Sequence, residues 1–215
     1  MNSCVTPATD TKYRESNKIQ SINNEKIVQL PTSQVWDILV KEISKSFYVI
    51  NNIDKESRII NVSFSSTSPS NYIDCGKTTR TFKKGEQEEV TTYENASSAT
   101  YNFADPTRTA PAFYLYYKVY RRTKLEGRAN IYVAPYQNDS SKTIITVNAR
   151  YILNVSLKSD YIMEHFSGEI QVIRGPEDEE QCMFDTKTSS CFEINKDVCC
   201  SSKGLFEKTI LDMVK

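Results

Sequence analysis

Residues 113–154 read FYLYYKVYRRTKLEGRANIYVAPYQNDSSKTIITVNARYILN, and the alternation inside them decides the fold. Ala129, Ile131 and Val133 are interleaved with Arg128, Asn130 and Tyr132. Further on, Ile145, Val147, Ala149 and Tyr151 are interleaved with Thr146, Asn148 and Arg150. Side chains two apart on a strand share a face, so each segment has one apolar and one polar side. The reading is three long strands over 113–122, 128–134 and 143–154, with a turn at Glu126-Gly127 and a loop over 135–141. A further strand over 167–173 precedes a Cys-rich loop. One packed face and one solvated face mark an antiparallel sheet.

Upstream, residues 26–30 form a short strand, and Pro31-Thr32-Ser33 opens a helix with Thr32 or Ser33 as its N-cap. Val35, Trp36, Leu39, Val40 and Ile43 recur at helical spacing, with Asp37, Lys41, Glu42 and Lys45 on the other side. Trp36 at this spacing is a core anchor. Residues 47–50 and 58–64 are two more strands, the second with Ile60, Val62 and Phe64 on one face. At the far end, 203–214 is a helix with Phe206, Ile210 and Met213 or Val214 on one side. The expected fold is α+β, a single domain over 26–215. It is a curved antiparallel sheet packed on one face by the N-terminal and the C-terminal helix. No alternating βαβ pattern, GxGxxG or phosphate loop is present, which sets nucleotide-binding α/β folds aside.

Two stretches hold the polar excess of a chain in which only 39% of residues are hydrophobic. Residues 1–25 read as a disordered leader or tether, and 65–112 as a long irregular insertion. Within the insertion Lys83-Lys84-Gly85-Glu86-Gln87-Glu88-Glu89 reads as a solvated loop, and 72–75 and 99–103 as short edge strands.

Lys and Arg number 27 against 27 Asp and Glu, a balance that argues against nucleic acid as a partner. No apolar run approaches the roughly 18–20 residues of a spanning helix. Any Cys–His or Ser–His nucleophilic pair would have to use His165, the single histidine, and no nucleophile signature surrounds a partner for it, so no enzyme is expected. Glu177-Asp178-Glu179-Glu180 reads as a solvated loop without the alternating ligands of a calcium loop. The six cysteines are Cys4, Cys75, Cys182, Cys191, Cys199 and Cys200. Their spacing fits paired zinc ligands poorly and a disulfide framework in an oxidising compartment better, with reduced structural thiols as the other reading. No metal and no cofactor are expected. By spacing, Cys182 and Cys191 bracket eight residues and would close a local loop, leaving Cys199 over unless it replaces one of them.

A binding surface is sought on the polar side of the sheet. Tyr114, Tyr116, Lys118, Tyr120 and Arg122 share the face opposite Phe113, Leu115, Tyr117 and Val119, and Arg128, Asn130, Tyr132, Asn148 and Arg150 continue it. Aromatic and polar side chains together stack on rings or peptide groups while bonding their edges. A solvated sheet face, where Tyr is common for its strand propensity, is the plainer alternative.

Cys4, after the small Ser3 and before a polar stretch, resembles the lipid-bearing cysteine of a mature bacterial lipoprotein; a stray Cys in a leader is the alternative. Other segments add to this: Val35-Trp36-Asp37-Ile38-Leu39, Phe47-Tyr48-Val49-Ile50-Asn51-Asn52, Asn71-Tyr72-Ile73-Asp74-Cys75-Gly76, Leu125-Glu126-Gly127-Arg128-Ala129-Asn130, Thr146-Val147-Asn148-Ala149-Arg150-Tyr151 and Gly204-Leu205-Phe206-Glu207 after Cys200. They are similar to a group of uncharacterised Gram-negative lipoproteins over about residues 26–215. The element order also resembles the helix-grip domains of BamC, a lipoprotein of the outer-membrane β-barrel assembly machinery. The resemblance implies pairing of Cys75 with Cys200, since both lie in segments that carry it. It further implies a non-enzymatic protein of the cell envelope, lipid-anchored on the periplasmic side or exported to the surface. Such a protein would be a binding or scaffold module for an envelope protein or peptidoglycan, touching the membrane only through its anchor. Two other readings stay open. A carrier would hold a lipid or small apolar ligand between sheet and helix, in a cavity on the order of several hundred Å³. A thiol enzyme would pair Cys199 or Cys200 with His165.

Overall fold

The computed structural model describes residues 6–16, 21–105, 107–137, 139–193 and 196–215. In chain order its elements are β1 (Ala8–Arg14), β2 (Glu25–Val28), α1 (Thr32–Ser44), β3 (Val49–Asp54), β4 (Ile59–Ser66), β5 (Ile73–Asp74), β6 (Lys77–Lys84), β7 (Gln87–Glu94), β8 (Ala99–Phe103), β9 (Phe113–Tyr136), β10 (Asp139–His165), β11 (Ile170–Ile173), β12 (Glu177–Asp185), β13 (Ser189–Cys191), β14 (Cys199–Ser202) and α2 (Leu205–Leu211). It is an antiparallel α+β fold, as expected.

The alternating stretch makes one long hairpin. β9 and β10 pair antiparallel from Tyr136 opposite Asp139 to Phe113 opposite His165, with an irregularity only between Asp139 and Thr143. Glu126-Gly127, expected to be a turn, is strand instead. The reason is Phe64 on β4, paired directly with Gly127. A Cβ at Gly127 would lie 2.1 Å from Phe64 Cε1, so the missing side chain makes room for the ring. That ring is held by Tyr48, Tyr72 and Phe206, with centroids 5.9, 4.9 and 4.7 Å away. Gly127→Ala is therefore expected to cost about 2 kcal/mol by overpacking, read as a shift of the urea midpoint. Pairing Gly127→Ala with Phe64→Leu should recover part of that loss.

The strand expected to stop at 154 also runs on, to His165. Lys158, Ser159 and Asp160 hide its apolar signal, yet each pairs in register with β9. A straight strand of 24 residues would reach roughly 80 Å, too far for one core to cover. Packing is accordingly divided. The large core takes Leu125, Ala129, Ile131 and Val133 of β9, Ile145 to Val155 of β10 at every second residue, Ile60, Val62 and Phe64 of β4, and both helices. A small second cluster near the open end of the hairpin joins Tyr116, Ile162, Phe82 and Ala104.

Sheet order around the hairpin is β11-β10-β9-β4-β3, with β2 and β12 also on β10 and β8 also on β9. In α1, four of the five positions the periodicity marked, Val35, Trp36, Leu39 and Ile43, are buried, and the fifth, Val40, is partly buried against the same core. The cap position is Pro31, one residue before Thr32 and two before Ser33, the expected caps. Thr32 is helical, and its hydroxyl pairs with that of Thr143 at 3.2 Å. α2 is shorter than the expected 203–214 and begins after Gly204, whose φ of 73° is left-handed.

Two polar stretches are better ordered than expected. Ala8–Arg14, read as leader, is a strand paired along its whole length with β6. Much of 65–112, read as irregular, is strand. β6 and β7 form a hairpin around the turn that holds Gly85, with Lys77–Glu94 and Lys83–Glu88 ion pairs of 3.3 and 3.0 Å across it. The run read as a solvated loop contains that turn. With β1 the pair makes a separate sheet, ordered β1-β6-β7.

β13, β14 and β5 form a third sheet, which carries both disulfides. Cys75 joins Cys200 across 125 residues with Cα atoms 4.1 Å apart, the pairing the resemblance implies. Cys191 joins Cys199, directly opposite it in the β13–β14 register, and not Cys182. Adjacent residues on a strand point to opposite sides, so Cys199 and Cys200 reach different partners. Cys182, on β12, is a buried free thiol and the one unpaired cysteine among the described residues. No helix is long and apolar enough to cross a membrane, among the described residues.

Candidate functional site

The polar face of the sheet is divided by what lies on it. Tyr114 and Tyr116 fall on the side the alternation gives them, but Phe82 of β6 and Ala104 cover them. Tyr116 is buried, and its hydroxyl donates to Glu164, which also holds Lys84 at 2.7 Å. Neither tyrosine belongs to an open surface, a correction imposed by the β6–β7 hairpin. Lys118, Tyr120 and Arg122 continue along the strand, Lys118 and Arg122 exposed and Tyr120 half-buried. The Lys118 ammonium sits 5.8 Å from the Tyr120 ring centre.

Further along, four of the expected residues come together. Arg128, Asn130, Asn148 and Arg150 line an open concavity of about 560 Å³, with Asp185 and Lys187 at its side. The two arginines are directly opposite each other in the β9–β10 register. Like charges so placed repel, and among the described residues neither guanidinium has a carboxylate within 4.0 Å. Asp185, opposite Arg150 on β12, accepts the backbone N–H groups of Lys187 and Thr188 at 2.8 and 2.9 Å. Asn61 orients Asn130 and Asn24 orients Asn148 through side-chain amide bonds of 2.6 and 3.0 Å. Tyr132, beside them on β9, is 41% exposed. The concavity thus presents two cationic forks and fixed amides, a set suited to carboxylate and amide groups.

Sequence reasoning missed a second pocket, lined in part by Thr78, Arg80, Tyr93, Asn95 and Tyr101 of the stretch read as irregular and by Glu180 of β12. Tyr93 and Tyr101 stack with ring centres 5.5 Å apart and 4° between planes. Arg80 lies 4.5 Å over Tyr101 and donates to the Tyr93 and Thr11 hydroxyls. Arg121 is 8% exposed and donates to the carbonyls of Asn95 and Ser97. Burial lowers the Arg121 guanidinium from its ordinary range, and burial beside Tyr93 pushes the Tyr101 phenol up to about 12. The signal available was the alternation Thr78, Arg80, Phe82 before the Gly85 turn and Tyr101, Phe103 further along.

The remaining expectations fall as follows. Cys4 lies outside the described residues. Cys199 and Cys200 are both in disulfides, so neither offers His165 a thiol. His165 Nδ1 is 2.7 Å from the Ser167 hydroxyl and accepts the Ser167 N–H in a local turn, with Phe113 edge-on at 5.0 Å. Glu177 to Glu180, read as a loop, start β12 and pair with β10. Among the described residues no three His, Cys, Asp or Glu side chains are grouped to hold a metal ion. Between sheet and helices, where a carrier cavity was sought, stand Tyr151, Phe206, Leu39 and Ile43, all fully buried.

Cys182 offers a check on this region. Its thiol donates to the Ser190 carbonyl at 3.2 Å, and burial pushes its pKa up to about 11 from 9.0. A raised folded-state value stabilises the fold fully below pH 9 and is lost as pH climbs through about 11. A thiol reagent at pH 8 should leave Cys182 unlabelled in the folded protein and label it at once in guanidinium. Labelling at equal rates would contradict the burial.

Compared with known proteins, the chain matches no family model, no curated protein and no solved structure.

Proposed function

We propose that this chain is an exported, non-catalytic binding module of the bacterial cell envelope, tethered by a lipid on Cys4. Its outward sheet face would receive an envelope protein or peptidoglycan. One observation carries the reading: Arg128 and Arg150 oppose each other at an open concavity, and among the described residues neither has a carboxylate within 4.0 Å. Holding two like charges together costs stability, and an anionic partner relieves that cost. Peptide stems of a cell wall, or acidic loops of a protein, supply such carboxylates. Two disulfides support an oxidising compartment. A helix-grip-like layout, with both helices against the hairpin, is part of the proposal. Buried contacts of α1 and α2 with the β9–β10 face support it.

The charge-reversed variant Arg128→Glu/Arg150→Glu tests the reading. Wild type should co-sediment with purified cell-wall sacculi or cross-link to a discrete envelope protein in intact cells. The variant should lose at least about tenfold in either assay at unchanged melting temperature. Equal capture by a folded variant would overturn the assignment to this face.

A further inference from the structure

We propose that the open end of the β9–β10 hairpin rests in the surface layer of the bilayer that holds the Cys4 lipid, with β11 as the inserted edge. The inference rests on the lipid tether proposed above and adds to it a membrane contact made by the folded domain itself.

Two observations coincide at this end. The first is the position of β1, whose Ala8 stands opposite Lys83 near the end of β6. The next residue, Lys84, bonds Glu164 of β10 at 2.7 Å, and a Cβ at Gly85 would lie 2.8 Å from the Tyr114 hydroxyl. β6 therefore runs toward the open end of the hairpin, and β1, antiparallel to it, enters from there. Three residues separate Cys4 from Ala8, and four Cα steps span at most about 15 Å. A lipid on Cys4 thus brings this end of the hairpin to the bilayer.

The second observation is an apolar surface at the same end. Glu164 pairs with Ile170 of β11. Phe166, Ile170, Val172 and Ile173 are 52%, 55%, 54% and 56% exposed. Single exposed apolar residues are ordinary, whereas a contiguous group marks a contact surface. β11 pairs with β10 on one side, and its other edge carries no strand among the described residues.

A bilayer fits this edge better than a second copy or another protein. Val172 pairs with Ile162 and Ile173 with Tyr161, and neighbours on a strand face apart, so β11 is apolar on both sides of the sheet. A protein packed on one side leaves the other in water, but an interfacial layer surrounds an inserted edge. Charge adds no pull of its own. Ion pairs hold Lys83, Lys84 and Arg108 to Glu88, Glu164 and Asp105, and the exposed Glu86 and Glu169 more than offset Arg174. The contact is apolar, and neutral phosphatidylcholine suffices for it. Hydrocarbon offers no partner to the backbone of an open edge, so the seat is shallow, roughly 5–10 Å into the headgroup boundary.

The test couples the whole protein through its Cys4 thiol to maleimide lipid in phosphatidylcholine vesicles, Cys182 being buried. Val172→Trp reports on β11 and Tyr132→Trp on the closed end of the hairpin, while Trp36, 6% exposed in the core, gives a constant background. Val172→Trp emission should shift to the blue on the vesicles and fall about twofold when their acyl chains are brominated, and Tyr132→Trp emission should do neither. Adding Ile170→Asp and Ile173→Asp to Val172→Trp should abolish both effects at unchanged melting temperature, because both side chains are exposed. Equal Val172→Trp emission on brominated and unbrominated vesicles overturns the inference, as does quenching that survives the two aspartates. A blue shift in free solution that grows with protein concentration overturns it too, by making a second copy the cover of β11. The chemical tether keeps the failures apart. Absent quenching overturns this inference alone, whereas an unmodified Cys4 in protein from the native host overturns the tether beneath it.

Discussion

Removing the Cys75–Cys200 bridge by Cys75→Ala/Cys200→Ala is expected to lower unfolding free energy by about 5 kcal/mol. In the chain-entropy account, a cross-link removes conformations from the unfolded ensemble in proportion to the logarithm of the loop it closes, here 125 residues. Both sulfurs are buried in the large core, at 1% and 0% exposure, so alanines there also leave a small void. The bridge ties the residue that follows β5 to β14, beside the two register pairs Asp74–Ser201 and Ile73–Ser202. Without it, that short ladder, the Lys203 N–H bond to the Tyr72 carbonyl at 2.8 Å and core packing still hold the insertion to the chain's last strand and helix. Cys191–Cys199, with a separation of 8, is expected to contribute only about 2.5 kcal/mol by the same account. Urea unfolding of the two double variants measures both, and the order of the two losses is the sharper check. A larger loss from the short loop would contradict the entropic account of the long one.

The second large effect concerns Glu207, fully buried on α2. Its Oε2 accepts the Tyr151 hydroxyl at 2.9 Å and its Oε1 accepts the Thr186 hydroxyl at 2.8 Å. Ser202 donates to the Tyr151 oxygen at 3.3 Å and accepts the Gly204 N–H at 3.0 Å, extending the network to the start of the helix. Burial, with the Glu207 carboxyl beside it, holds the Tyr151 phenol above its ordinary range, so that hydroxyl stays a donor. Glu207→Ala strips two buried donors of their acceptor and opens a cavity, for an expected loss of about 3–4 kcal/mol. Glu207→Gln keeps the shape and one acceptor and should cost about half as much. Tyr151→Phe, losing one donor, should fall between zero and the alanine variant. Equal stability of Glu207→Ala and wild type in a denaturant titration would show that the network contributes nothing.

Much of this architecture is legible from local pattern, because the pattern and the burial coincide. The helical spacing of Val35, Trp36, Leu39 and Ile43 gives α1 and its buried side. Alternation from Arg128 onward gives the sheet and its inner face. What is not legible depends on partners far away in sequence. Glu126-Gly127 has turn chemistry, and only the Phe64 ring makes the glycine a strand residue. β6 and β7 are rich in Thr, Lys and Glu because much of their surface stays wet, so they lack the apolar alternation that announces a strand. For the same reason the leader strand β1 is hidden. Side of sheet can be read for Tyr114 and Tyr116, but cover cannot, since it comes from Phe82. The adjacent Cys199 and Cys200 could have warned against a Cys182–Cys191 loop, because neighbours on a strand face apart. Arg80, Tyr93, Tyr101 and Arg121 come from four strands of two sheets, and no short motif contains them.

Maturation of an exported module in an oxidising compartment is tested most directly by mass spectrometry of the protein isolated from its native host. Non-reduced peptide mapping should return Cys75 linked to Cys200, Cys191 linked to Cys199 and Cys182 unlinked, with a lipid on the peptide that holds Cys4. Six free thiols and an unmodified Cys4 peptide would contradict it.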